Sequence, residues 1–371
     1  MKVRGFPALA VLIAMPFLSA GCGALHSPVA LGLSPAGSCR ATLSTAAFPA
    51  PQARLAPSLR WTSPEDVGHR NALADWCSAV GPAVVARAAA RPADLPSMPD
   101  LVIVSWNVHV GAGDVAGLVE RLRAGHFTHG QPVQRFVLLL QETYRNGDDV
   151  PRLAHTRGTA KAIQPHAAGG RIDIVELADV LDLSVYYVPS MRNGASTTED
   201  RGNAILSTEP LSDLEAIELP FERQRRVAVQ ATIALDGADG SSETLRLTNA
   251  HLENMGSRWR LGFLSPVARL TQADALMDRV PADGAAVLAG DLNTWFGSLE
   301  PAYRRFARSF DQQRSVDSRP TFGILRLDHL FVRLPEGWEA ETVRLDRFGS
   351  DHHPLLARLR ITDRDTALAA R

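Results

Sequence analysis

Asp291 and Asn293 stand two residues apart, directly after the apolar run Val287-Leu288-Ala289-Gly290, which reads as a buried strand ending in glycine. A carboxylate and a carboxamide so placed can hold an attacking water and take its proton. The plainer alternative is an Asx-turn in which both side chains are satisfied locally. Asn107 and Glu142 each follow a continuous apolar run, in Ser105-Trp106-Asn107 and Gln141-Glu142-Thr143. Both belong at strand ends on one rim, and oxygen donors on a rim suit a hard cation. Mg²⁺ takes one or two carboxylates, keeps several waters and accepts phosphate oxygen, so Glu142 is the main candidate ligand with Asn107 beside it. His251 closes Asn249-Ala250-His251, and His352 stands in Ser350-Asp351-His352. Asp328, in Arg326-Leu327-Asp328, is the candidate partner of His352, because a carboxylate fixes the tautomer of an imidazole and keeps it cationic near phosphate. Each signature alone reads as a turn, a cap or a satisfied histidine. Their joint occurrence, in this order and at strand ends, points to a metal-assisted phosphoester site.

The elements that must position these groups are legible as Val-, Ile- and Leu-rich runs at 101–106, 136–140, 185–188, 204–206, 227–233, 245–248, 285–289, 330–332 and 355–359. Helical periods fall at 115–123, 172–183 and 258–280, with Pro266 expected to kink or restart the last. Strands alternating with helices, mixed with hairpin-like neighbours across 227–248, predict an α/β sandwich with mixed sheets. The 45% hydrophobic content of the 371 residues is enough for one large domain. A net charge of −1 gives no global argument for a nucleic-acid or membrane partner. No protein partner is inferable.

Lys2 and Arg4 precede an uncharged stretch from Gly5 to Gly21, the layout of a signal peptide. It is shorter than the ~20 residues of a spanning helix. It ends in Leu18-Ser19-Ala20-Gly21-Cys22, which resembles the lipobox of bacterial lipoproteins and implies lipidation at Cys22. Gly23 after the cysteine favours the bacterial outer membrane, with the chain periplasmic or surface-exposed. Cys39 and Cys77 then remain as a candidate disulfide in an oxidising compartment. The expected organisation is a signal peptide over 1–21, a tether and N-terminal extension over 22–99, a catalytic domain over 100–362 and a tail over 363–371.

Across 101–360 these signatures resemble the endonuclease/exonuclease/phosphatase superfamily, the DNase I-like fold. The resemblance implies a four-layered α/β sandwich with two central mixed sheets, and a Mg²⁺-dependent phosphoester hydrolase, with Mn²⁺ or Ca²⁺ as alternative ions. It implies that Asn107 and Glu142 are metal ligands joined by Asp351. Asp291 and Asn293 position and activate water, His251 and His352 stabilise phosphate, and Asp328 partners His352. Whether Asp291 or His352 takes the proton stays open. Arg201 matches a phosphate-contacting loop and is a candidate substrate contact, a standing shared by Arg223, Arg225 and Arg226. Arg269 and Gln272 fall where relatives carry Arg and Gln that brace the fold. The chain departs from the pattern with Ala250 in place of Thr and with Glu253, an extra carboxylate that is a candidate ligand for a second metal.

The catalytic parts define the P–O bond and leave its leaving group open. Nucleic acid, a phospholipid head group and a small phosphoester all fit. The basic patches are short for a nuclease, whereas Trp259, Phe263, Trp295 and Phe296 are candidates for the apolar loops a lipid phosphodiesterase wants. A phosphodiesterase or nuclease is the leading expectation. The alternatives are a sphingomyelinase-like enzyme, a phosphomonoesterase on inositol phosphates or nucleotides, and, from another class, a non-catalytic surface binding module.

Overall fold

The computed structural model describes residues 28–34, 59–86, 100–153, 159–161, 170–236, 242–254, 266–310 and 317–361. The expected signal peptide over 1–21, Cys22, Cys39, Trp259, Phe263 and the expected tail over 363–371 lie outside these residues. One sheet runs, in spatial order, β1 (Leu31–Leu33), β2 (Arg60–Pro64), β9 (Ser212–Glu218), β10 (Val227–Asp236), β11 (Ser242–His251), β12 (Ala286–Asp291) and β13 (Asp328–Arg333). The other runs β14 (Trp338–Arg344), β15 (Leu355–Ile361), β4 (Leu101–Asn107), β5 (Phe136–Asn146), β8 (Glu199–Ser207), β7 (Ser184–Asn193) and β3 (Val84–Ala86), with β6 (Ala160–Lys161) pairing β7 off that path. Each sheet mixes parallel and antiparallel pairs, as β11–β12 against β12–β13 and β4–β5 against β5–β8. The expected α/β sandwich with two mixed sheets is what forms.

The layering follows from the period-2 alternation of the strands. In β4, Leu101 and Ile103 point into a core shared with Val229 and Leu247 of the other sheet. Val102, Val104 and Trp106 point the opposite way, onto Val115, Leu118, Val119 and Leu122 of α2 (Val115–Arg123). Those four apolar positions recur at helical spacing, and Asp114 caps the helix by accepting from Gly117 N at 2.8 Å. A third core lies between the first sheet and α4 (Val267–Met277) with α5 (Pro301–Ala307). Helix, sheet, sheet, helix is the four-layered arrangement.

One helix begins later than its apolar period predicts. The 172–183 period yields α3 (Ile174–Val180), because Asp173 accepts from Val175 N at 2.7 Å and Glu176 N at 3.2 Å and so becomes the cap. Within the 258–280 period, of which 258–265 lie outside the described residues, α4 starts at Val267 with Pro266 as its N-cap, in keeping with a proline restart.

The described residues before Asp100 are built into the sandwich. β2 runs parallel to β9 and sends Trp61 into the inter-sheet core, and β3 pairs antiparallel with β7. Between them in the chain, α1 (Val67–Ser78) packs against β2 and β7, and His69 Nδ1 accepts from Phe221 N at 3.0 Å. Gly81 N donates to the buried Asp200 at 2.9 Å. Cys77 is disulfide-bonded, and the other two cysteines, Cys22 and Cys39, lie outside the described residues. Among the described residues no helix is long and apolar enough to cross a membrane.

Candidate active site

Strand register alone puts three of the candidate groups in a row. β11 and β12 are parallel with His251 beside Asp291, and β12 and β13 are antiparallel with Asp291 beside Asp328. Neighbouring strands lie about 4.8 Å apart, so the three side chains rise from one edge within reach of each other. Gly290 makes this approach possible. At φ 147° it lies so close to β11 that a Cβ would fall 1.8 Å from Ala250 O. Gly290→Ala is therefore expected to push β12 off β11, lowering the melting temperature and displacing Asp291 in the same variant. An unchanged melting curve would remove this account of the glycine.

The second sheet supplies Asn107 at the end of β4 and Glu142 in β5. Asn107 Nδ2 donates to Asp291 Oδ2 at 3.0 Å, joining the sheets across the site. Glu142 sits at an irregularity in the β5–β8 register between Leu140 and Thr143, with φ 52°. That bulge re-aims its carboxylate, which keeps partial exposure and meets Arg201 Nη1 at 3.4 Å. Directly beneath, the buried amides of Gln141 and Asn249 clasp the two sheets. Gln141 Nε2 donates to Asn249 Oδ1 at 2.8 Å, and Asn249 Nδ2 to Leu140 O and Ala204 O at 2.8 and 2.9 Å. The loop with His352 is fixed by Ser350 Oγ donating to Asn107 O at 2.7 Å and by Trp106 Nε1 donating to His352 O at 3.0 Å.

Asp291 is the centre. Its Oδ2 receives Asn107 and lies 3.4 Å from His251 Nε2 and 3.8 Å from His352 Nε2, while Oδ1 accepts from Asn293 N at 3.0 Å. Asn293, at φ 50°, donates its Nδ2 to Leu252 O at 3.1 Å. Burial pushes the Asp291 carboxyl up to about 7. For His352, burial opposes the charged ring, but the Asp328 and Asp291 carboxylates outweigh it and raise the imidazole to about 10. Its Nδ1 meets Asp328 Oδ2 at 2.7 Å, so the ring is an imidazolium held between two acids. His251 is the opposite case: burial, then Arg226, His352 and Arg201, hold it well below its ordinary value and neutral.

Beside this cluster a pocket of about 200 Å³ is lined by Glu142, Arg201, Asn203, Gln224, Arg226 and His251, among others. Arg226 is 4% exposed and its Nε has no hydrogen-bond partner; Arg201 Nε is likewise buried and unpartnered. Buried guanidiniums with spare donors require an anion to repay their desolvation. Of the three neighbouring arginines, Arg226 alone lines the pocket. Arg225 is spent on Glu218 at 2.7 Å and on the carbonyls of Pro189 and Ser190, and Arg223 is exposed.

The oxygen donors fit a hard divalent cation. Glu142 and Asp351 keep partly exposed carboxylates and Asn107 adds a carboxamide, a set that hard ions take and soft ones do not. Asp291, Asp328 and His352 also bring ligand atoms within 4.8 Å of one another. There, however, the imidazolium already neutralises the carboxylates, so that trio is a proton-holding network first.

A model of the endonuclease/exonuclease/phosphatase family matches residues 104–352. The chain belongs to the endonuclease/exonuclease/phosphatase family. Membership carries phosphoester hydrolysis as its chemistry, and the sandwich is the DNase I-like one. No curated protein matches the chain. Among solved structures, an endonuclease/exonuclease/phosphatase from Beutenbergia cavernae is 19% identical with a TM-score of 0.49, over 71% of this chain and 72% of that one. A family protein from Leptotrichia buccalis is 14% identical with a TM-score of 0.47, over 70% of this chain and 100% of that one. One from Bacteroides vulgatus is 14% identical with a TM-score of 0.44, over 71% and 100%.

In this endonuclease/exonuclease/phosphatase family member, Asn107, His251, Asp291, Asn293, Asp328 and His352 gather into one cluster. Glu142 and Arg201 stand in the adjoining pocket, and Asp351 lies on the rim. Glu253 is a correction. It is fully buried and accepts from Arg223 N, Gln224 N, Gln224 Nε2 and Asn254 N, so it caps a loop and is not free for a second metal. Arg269 and Gln272 brace, as expected: Arg269 pairs with Glu300, and Gln272 bonds Glu253 N and Pro220 O at 2.8 and 3.0 Å. His109, absent from the sequence reading, stands on the rim with Nδ1 3.1 Å from Asp351 Oδ2. Its nearness to Asn107 in the chain was the available signal.

Proposed function

We propose that this chain is a divalent-cation-dependent phosphodiesterase, lipid-anchored at Cys22 to the bacterial outer membrane and acting on an extracytoplasmic phosphoester. The observation that carries the catalytic part is the convergence on Asp291 Oδ2 of Asn107, His251 and His352 from separate strand ends and loops. Glu142, Asn107 and Asp351 would hold the cation, Mg²⁺ by their donor chemistry. When bound it supplies charge neutralisation to the phosphate oxygens. Asp291, with Asn293 fixing its loop, orients the attacking water and accepts its proton. His352 is already protonated by virtue of Asp328, so it serves as a fixed positive charge toward the phosphate, and Asp291 is the base. Neutral His251 donates or accepts a hydrogen bond on the opposite side of Asp291.

Arg201 and Arg226 set the substrate preference. A quaternary ammonium head group would meet two guanidiniums and, among the described residues lining the pocket, no Phe, Tyr or Trp ring, which disfavours choline lipids. The same two charges support a second reading, a phosphomonoesterase, since a dianionic phosphate matches them better than a monoanionic diester. The deciding assay gives the full chain bis-(p-nitrophenyl) phosphate, p-nitrophenyl phosphate, DNA, RNA and sphingomyelin, with Mg²⁺ or EDTA. The diester reading expects Mg²⁺-dependent cleavage of bis-(p-nitrophenyl) phosphate and nucleic acid. Faster turnover of the monoester would move the assignment to the second reading. Glu142→Gln should retain the fold and raise the Mg²⁺ needed for half-maximal rate at least about tenfold. An unchanged Mg²⁺ requirement would remove Glu142 from the ligand set.

A further inference from the structure

The turn after β4 concentrates backbone strain on one side chain. His109 and Val110 both have positive φ, 49° and 54°, and Gly111 follows at 73°. A left-handed residue other than glycine is uncommon, and a β-branched one is an outlier that persists only where its surroundings hold it. Here they do. Val110 is fully buried, Val108 N donates to Gln141 O at 2.9 Å, and Gly111 N donates to Glu142 O at 3.1 Å. The carboxamide of Asn107 closes the turn by accepting from His109 N at 3.0 Å.

The product of that strain is the placement of an imidazole. The His109 side chain, 34% exposed, brings Nδ1 to 3.1 Å from Asp351 Oδ2. The other Asp351 oxygen faces Ser350 Oγ at 3.4 Å, and the same hydroxyl donates to Asn107 O. Asn107 thus fixes the backbone of His109 and anchors the Ser350 loop, and His109 fixes Asp351. The site holds two imidazole–carboxylate pairs built from consecutive residues: Asp351 with His109 on the rim, His352 with Asp328 inside.

The geometry points to His109 as a positioning residue that holds the Asp351 carboxylate toward the cation through Nδ1. This inference rests on the reading of Asp351 as a cation ligand. A ligating carboxylate depends on the hydrogen-bond partner that sets its orientation, and removing such a partner weakens metal affinity by about 10- to 100-fold. The strained turn makes sense on this account, since relaxing it would swing the imidazole away from Asp351.

Calorimetric titration of the full chain with Mg²⁺ tests it, comparing wild type with His109→Ala, His109→Asn and Asp351→Ala, each checked for folding by its thermal melt. The Asn amide nitrogen reaches about where Nδ1 stands. The expected result is a dissociation constant raised about 10- to 100-fold in His109→Ala and most of that loss recovered in His109→Asn. If Asp351→Ala binds as wild type does, the ligand reading fails and takes the inference with it. If Asp351→Ala is weakened while His109→Ala is not, or if Asn is no better than Ala, the positioning role is overturned and the ligand reading stands. Should His109→Ala fail to fold, His109→Gln replaces it, because its amide lies farther out. Equal binding by the Asn and Gln variants would then overturn the role.

Discussion

Asp291→Asn should lose about 10²- to 10⁴-fold in kcat, the range removed with a general base, while keeping or raising stability. The catalytic loss follows from the one group in the cluster that is both basic and aimed at the others. Asn107, His251 and His352 all address its Oδ2, and an amide in that place has no lone pair basic enough to take a proton. The stability effect has a definite sign. The Asp291 carboxyl rises from 3.8 in the unfolded chain to about 7 in the folded one because burial penalises its charge. Between those values the unfolded chain gives up its proton first, so folding weakens as pH climbs from about 4 and the whole penalty is present above about 7. Asparagine carries no such charge. The melting temperature of Asp291→Asn relative to wild type should therefore climb from pH 4 to pH 7 and then level off. For His352 the sign differs: its raised value means stabilisation that is complete below 6.5 and fades as pH rises toward about 10. Activity needs Asp291 ionised and His352 protonated, which places the rate maximum between about 7 and about 10 in the free enzyme. A variant that kept wild-type turnover, or a rate that increased as pH fell below about 6, would end the assignment of Asp291 as base.

The candidate site was readable because its main members flank Val-, Ile- and Leu-rich runs, and strands buried on both faces write themselves as such runs. β4, β12 and β13 are of this kind: Asn107 and Asp291 close β4 and β12, and Asp328 opens β13. What escaped is polar in sequence and neutralised in space. β9 reads Ser-Asp-Leu-Glu-Ala-Ile-Glu, yet Glu215 is buried against Thr62 Oγ1 at 2.6 Å and Arg279 Nη2 at 2.7 Å, contacts no local pattern announces. The edge strand β14 is half-buried except at the exposed Glu341 and shows little alternation. β1, β2 and β3 are short pieces in Ala-, Pro- and Ser-rich chain and gain their order from the sheets they join. His109 escaped for another reason. Its role depends on a left-handed turn, and a histidine–valine pair carries no sequence sign of positive φ.

Trp106 tests how far the site depends on the core beneath it. It is among the largest side chains with no exposure, packed edge-on to Phe348 at 6.3 Å with Gly113 giving it room: a Cβ there would come within 2.5 Å of the indole. Trp106→Ala should cost about 3–5 kcal/mol, the range for an aromatic removed from a packed core. That is a large share of the roughly 5–15 kcal/mol a domain has, and on the order of 10 °C in melting temperature. The indole also does something no aliphatic core residue does. Its Nε1 donates to His352 O at 3.0 Å, tying the loop that carries the imidazole to the strand that carries Asn107. Trp106→Phe separates the two roles, since it keeps most of the volume and leaves that carbonyl unpaired, a loss of about 1–3 kcal/mol. The phenylalanine variant should fold, melt only a few degrees lower, and lose more turnover than its stability loss accounts for, because the His352 loop is freer to leave Asp328. If instead turnover in Trp106→Phe matches wild type, the loop is held by Ser350 and Asn107 alone, and the tryptophan is packing.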